Sequence, residues 1–172
     1  MMAAITCALT FLRFPLFGSK VHLANAMCLL SGLFLGPVAG GIAAGLGSFL
    51  FDALWGGYDV IQCLITFVSK FLMAFVCAKM AGYKPGQNFH RGRLVLSCWV
   101  GAFFYIVLYM LKTFIYQRFI YGFPVDTVWI TMLSKLPASL INAVFAAVVA
   151  PVAFFALQPS LERLGYQGRM QD

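Results

Sequence analysis

The sequence predicts an all-α integral membrane protein, a six-transmembrane-helix bundle with short loops and both termini cytoplasmic. Three observations point there. Hydrophobic residues fill 62% of the 172 positions and charged residues only 10%, against roughly 25% charge in an average soluble domain. The apolar residues fall in long runs broken by Gly-Pro, Gly-Gly or a single polar loop, and a spanning helix needs about 20 mostly apolar residues. Six such helices take up nearly the whole chain, so residues 1–172 form one membrane domain with no room for a second, soluble one.

The first helix is expected over residues 2–17, apolar apart from Arg13. No basic region precedes its apolar run and no small-residue cleavage site follows, so it reads as a helix and not as a secretory signal. Its abrupt start predicts a few residues of cytoplasmic lead-in before Met1. The second helix, over 24–36, is short for a full span and stops at Gly36-Pro37, because proline cannot extend a helical ladder. The third, 38–56, stops at Gly56-Gly57, and the fourth, 59–82, runs into the one clearly polar interior loop, Tyr83 to Arg93. Helices over 93–118 and 128–157 complete the bundle.

Charge sets the direction of insertion. With both termini inside, Lys79, Lys84, Arg91, Arg93, Arg163 and Arg169 face the cytosol, while Lys20 and Arg118 face outward and Arg13 lies just inside the outer interface. Cytoplasmic loops carry the excess of Lys and Arg. The outer face then holds Gly18 to Leu23, Trp55 to Asp59 and Gln117 to Thr127, with Lys20, His22, Tyr58, Asp59, Arg118, Tyr121 and Asp126 as a polar cluster. The net charge of +7 is scattered among apolar runs, which argues against a nucleic-acid partner. Cys7, Cys28, Cys63, Cys77 and Cys98 lie in apolar stretches without CxxC or nearby His, so they read as small core hydrophobes and not as metal ligands.

Ionisable groups inside a span are costly and face a partner, the bundle interior or a water-filled cavity. Here they are Asp52, Lys70, Lys112 and Lys135. Gln62, Thr66, Ser69 and Lys70 share one face of the fourth helix, and Tyr105, Tyr109, Lys112 and Tyr116 one face of the fifth. Thr131, Lys135 and Asn142 do so on the sixth. Three lysines against one internal carboxylate favour a ligand with anionic or strongly accepting groups, and the tyrosines suit stacking on a flat ring. Asn25 serves equally as a cap, a helix contact or a ligand contact. The candidate substrate-contacting residues are therefore Asn25, Asp52, Lys70, Tyr109, Lys112, Tyr116, Lys135 and Asn142. Small residues four apart, Gly41 with Gly45 and Ala4 with Ala8, mark faces where helix backbones approach closely, within the chain or against a partner.

The ordered run Val21-His22-Leu23-Ala24-Asn25-Ala26, then Gly36-Pro37-Val38-Ala39-Gly40-Gly41, then Gly47-Ser48 with Asp52, and finally Thr66-Phe67-Val68-Ser69-Lys70 resembles the substrate-binding S components of energy-coupling factor (ECF) transporters. That resemblance implies a prokaryotic cell-membrane protein of six helices with a vitamin or micronutrient pocket on its extracellular side. It further implies a transmembrane scaffold subunit contacted through the AxxxA pattern, here Ala4 and Ala8, and two cytosolic ATPases that supply the energy while the loaded S component topples inward. The chain itself carries no GxxxxGK[ST] loop for nucleotide phosphates. The expected ligand is an aromatic, partly anionic micronutrient, with no cofactor.

Two other functions compete. A stand-alone channel or facilitator needs polar residues along both halves of the bundle, and the inner half of the sixth helix, Ala143 to Ala156, has none. An enzyme needs a nucleophile with a base, a metal set or paired carboxylates, and the two histidines, His22 and His90, fall on opposite sides of the membrane.

Overall fold

The computed structural model describes residues 1–16, 19–84 and 90–163, with residues 13–16, 19–22 and 160–163 described through their backbone alone. Gly18, the 85–89 part of the polar loop and Arg169 lie outside the described residues, as do the side chains of Arg13, Lys20, His22 and Arg163. Among the described residues six helices form the bundle: α1 (Met2–Phe11), α2 (Ala24–Leu35), α3 (Pro37–Phe51), α4 (Val60–Ala81), α5 (Arg91–Ile115) and α6 (Val125–Arg163). Single π-helical turns, Asp52–Gly56 and Tyr116–Ile120, continue α3 and α5.

Local chemistry accounts for most of the ends. Pro37 opens α3 after Gly36, which turns the chain at φ 86°. Asp59 caps α4 by accepting from the Gln62 amide at 2.8 Å, and Gly82 closes that helix in the left-handed region at φ 74°. The first helix differs from the expected 2–17. It stops at Phe11, and the chain turns into an antiparallel hairpin of β1 (Arg13–Leu16) and β2 (Ser19–His22), with Arg13 opposite His22 and Leu16 opposite Ser19. A helix through residue 17 would place Pro15 in its interior, where the ring clashes with the preceding turn and a backbone bond is lost. The sixth helix also overruns its expected 128–157, continuing through Pro159 to Arg163. Its 39 residues make a rod of about 58 Å, well beyond a hydrocarbon layer of roughly 30 Å, so apolarity marks only the part inside lipid.

Among the described residues four helices are long and apolar enough to cross a membrane: Pro37–Gly56, Val60–Ala81, Arg91–Ile120 and Val125–Pro159. Helices α1 and α2 are shorter. Apolar nearly all round, α2 is buried from Ala24 to Phe34 except at Met27 and touches all five other helices, as expected of a helix at the centre of a bundle.

Small residues bring the neighbours close. A Cβ on Gly41 would stand 2.7 Å from the Phe71 ring, and one on Gly45 2.8 Å from the Phe67 ring, so this pair seats α3 on α4 within the chain. The opposite edge of α3 meets α1 where Gly47 approaches Ala3 and Thr6. Ala4 and Ala8 point away from that contact and are exposed, whereas Thr6 and Thr10 are buried. In the half of the bundle nearer the α2–α3 turn, Leu29, Leu33, Met73, Ala74, Cys77, Leu94, Cys98, Ala147 and Ala150 form a core at 1% exposure or less. Phe34 and Phe154 stack there with ring centroids 4.9 Å apart.

Candidate functional site

The other half of the bundle holds a cavity of about 560 Å³. Asn25, Asp52, Lys70, Tyr109, Lys112, Tyr116, Lys135 and Asn142, the residues singled out in sequence, all line it. Helical spacing explains the convergence: residues three and four apart share a face, and the bundle turns the polar faces of α4, α5 and α6 toward one another.

The three lysines stand in different surroundings. Lys70 is 3% exposed; it donates to Asn25 Oδ1 and holds its Nζ 3.8 Å from the centroid of the Tyr105 ring. Lys112 donates to Thr66 Oγ1 at 2.9 Å and to the Gln62 carbonyl at 3.4 Å. The Lys135 ammonium makes no hydrogen bond or ion pair with a described residue, although the side chain is half-buried in the wall. Thus two of the cations already donate to neutral oxygens, and the third has its donors free for whatever enters.

Near the mouth the tyrosines form a connected rim. Tyr116 donates to the Asp59 carboxylate at 3.1 and 3.3 Å, and the Gln62 amide donates to the Tyr121 hydroxyl at 3.3 Å. The Tyr116 and Tyr121 rings meet edge to face at 6.1 Å, a favourable aromatic geometry. Deeper, Tyr105 and Tyr109 stack with centroids 6.3 Å apart. Flat π-faces, hydroxyls and ammonium donors thus line one space, suited to a planar ligand bearing acceptors.

Below this space the lining changes from polar to apolar within about one turn on α2, α4, α5 and α6. Asn25 gives way to Leu29, Lys70 to Met73 and Ala74, Tyr105 to Ala102, and Asn142 to Ala146. The buried polar side chains of that inner half, Ser31 and Ser97, are bonded to backbone carbonyls of their own wall.

Several lining residues went unmarked in sequence. Ser48 lies four residues before Asp52, and Ser139 lies four after Lys135, so helical spacing alone places each on a polar face already recognised. Thr10 repeats Thr6 at the same step. Gln117 and Phe51 carry no such signal, and their place follows only from the packed bundle.

A sequence profile described as "ECF-type riboflavin transporter, S component" matches residues 1–159. The search of curated proteins returned no match. Among solved structures, one described as "Structure and mechanism of the S component of a bacterial ECF transporter" superposes with a TM-score of 0.71 over 94% of this chain and 93% of that one, at 19% identity. At that identity the likeness speaks for the fold, while the profile match over nearly the whole chain speaks for the family. The chain is a multi-pass prokaryotic membrane protein and the substrate-binding subunit of an ECF transporter, for it belongs to the ECF-type riboflavin transporter S component family.

Proposed function

We propose that this chain captures a flavin, riboflavin or a close relative, from the extracellular side and hands it inward together with a transmembrane scaffold subunit and two cytosolic ATPases. The observation that carries the reading is a cavity lined by tyrosines and by the Lys135 ammonium above a buried apolar core. Its volume of about 560 Å³ falls in the range of about 300–1,000 Å³ usual for small-molecule sites. The flavin ring offers a flat surface for the tyrosines and carbonyl oxygens for Lys135 and Asn142, which fits the aromatic part of the expected ligand; riboflavin itself carries no anionic group, so the partly anionic part is not called on. The family's description supports the choice of flavin among such ligands.

Orientation follows from charge. Lys79, Lys84, Arg91 and Arg93 cluster at the α4–α5 end, away from the cavity mouth, and the positive-inside bias puts that end in the cytosol. The bundle then crosses the membrane with six helices, both termini inside. A stand-alone channel needs a wetted route through both halves, and the core below Asn25, Lys70 and Asn142 is closed by residues at 2% exposure or less. The test is to purify the chain from cells grown in rich medium and identify the retained small molecule by mass spectrometry. A flavin at near-stoichiometric amount is expected; a different nutrient, retained in its place, would overturn the substrate.

A further inference from the structure

Buried polar side chains in this molecule have partners almost everywhere, and the exceptions fall in one place. Among the described residues the buried side-chain oxygens without a hydrogen bond are Ser48 Oγ and Gln117 Oε1, and both residues line the cavity. Every other buried serine or threonine donates to a backbone carbonyl three or four residues earlier. Ser48 does not, although it is only 4% exposed. The Cys28 thiol beside it is a weak partner. Leaving a buried hydroxyl or amide oxygen unmatched is costly, so such groups call for a partner that the chain itself does not supply.

We infer that Ser48 and Gln117 fix the orientation and specificity of the bound flavin, Ser48 donating to a ring carbonyl and Gln117 accepting from a hydroxyl of the polyol chain. The inference rests on the flavin reading above. The two groups differ in what they can do: an amide carbonyl oxygen only accepts, whereas the Ser48 hydroxyl has an uncommitted hydrogen to donate. They also stand apart. Ser48 is one turn inward of Asp52 on α3, Gln117 is in the π-turn that ends α5 at the mouth, and α4 packs between those helices. A ring held inward, near Tyr105 and Lys70, and a polyol chain directed to the mouth satisfy both. In this structure both oxygens are shielded from solvent and without a hydrogen bond, and contact with a ligand takes a change of side-chain rotamer, for Ser48 a single step about χ1.

Equilibrium titration of the purified chain with riboflavin and with lumiflavin, which keeps the ring but has methyl in place of the polyol, separates the two contacts. Ser48→Ala is expected to weaken both ligands about tenfold, and Gln117→Leu to weaken riboflavin about tenfold while lumiflavin stays within about twofold, the size of one neutral hydrogen bond. Retained lumiflavin affinity certifies the fold of Gln117→Leu. Ser48→Cys, which keeps the volume but weakens the donor, should shift both ligands in the same direction as Ser48→Ala. Wild-type affinity of both variants for both ligands would overturn the inference and leave the flavin reading standing, and the reverse pattern of losses would overturn the orientation. If the unaltered chain binds neither flavin, the flavin reading falls and the inference falls with it.

Discussion

The two halves of the bundle are built from the same helices by opposite rules. On the side of the mouth, α4, α5 and α6 turn lysines, tyrosines and amides to a common space; on the other side the same helices turn alanines, cysteines and leucines to a buried apolar core. The boundary is crossed within about one turn on four helices, from Asn25 to Leu29, Lys70 to Met73, Tyr105 to Ala102 and Asn142 to Ala146. In lipid, apolar burial does little to hold helices together, and close packing of small residues does much. The inner half therefore gives the bundle its cohesion, and frees the outer half to carry polar groups that would otherwise be an expense. A site closed at the bottom binds and waits, which suits a subunit whose energy comes from elsewhere.

The same kind of substitution in the two halves sets the contrast most sharply. Ala147→Asp, fully buried in the inner core, should yield no folded protein by size-exclusion chromatography, since an unpaired buried carboxylate costs several kcal/mol or more. Ser139→Asp, about two turns outward on the same helix and in the cavity wall, should still give a monodisperse bundle. Comparable loss of both would erase the distinction between the halves.

A second division separates the lipid-facing surface from the cavity. Ala4→Trp with Ala8→Trp fills an exposed face of α1, whereas Thr10, the α1 residue in the cavity wall, is buried. Uptake by whole cells should be abolished while ligand affinity of the purified chain stays unchanged; unchanged uptake would remove this face from scaffold docking.

Within the cavity, Lys135→Ala and Asn142→Ala should each weaken the ligand about tenfold or more, as expected for a buried donor lost to an acceptor, with little change in thermal unfolding. The smallest effect belongs to Tyr116→Phe at the rim. It removes the bond to Asp59, a contact within the rim and not one to the ligand, so affinity should fall only about a few-fold. A loss at Tyr116 larger than at Lys135 would place the main contacts at the mouth.

Much of this asymmetry was legible in the chain. Gly36-Pro37, Asp59 and Gly82 mark helix ends by chemistry that works locally, and the three- and four-residue spacing of polar side chains on α4 to α6 predicts their convergence. The hairpin was not legible, because its first strand, Arg13–Leu16, continues the apolar run of the first helix, and only Pro15 argued otherwise. Lysine count leaves the partners open. Lys70 and Lys112 find Asn25 and Thr66, 45 and 46 residues away in the chain, so periodicity gives the face but not what the face meets. The same limit hid Gln117, and it misassigned no face of α3: Gly41 and Gly45 carry the spacing of a docking surface and serve α4 of the same chain.

The central claim is that this chain alone, without scaffold or ATPases, is a complete flavin-capture site. Titrating riboflavin into the purified chain in nanodiscs and following flavin fluorescence tests it directly. Saturable quenching with one site per chain is the predicted result, and fluorescence that stays proportional to added riboflavin throughout would contradict it.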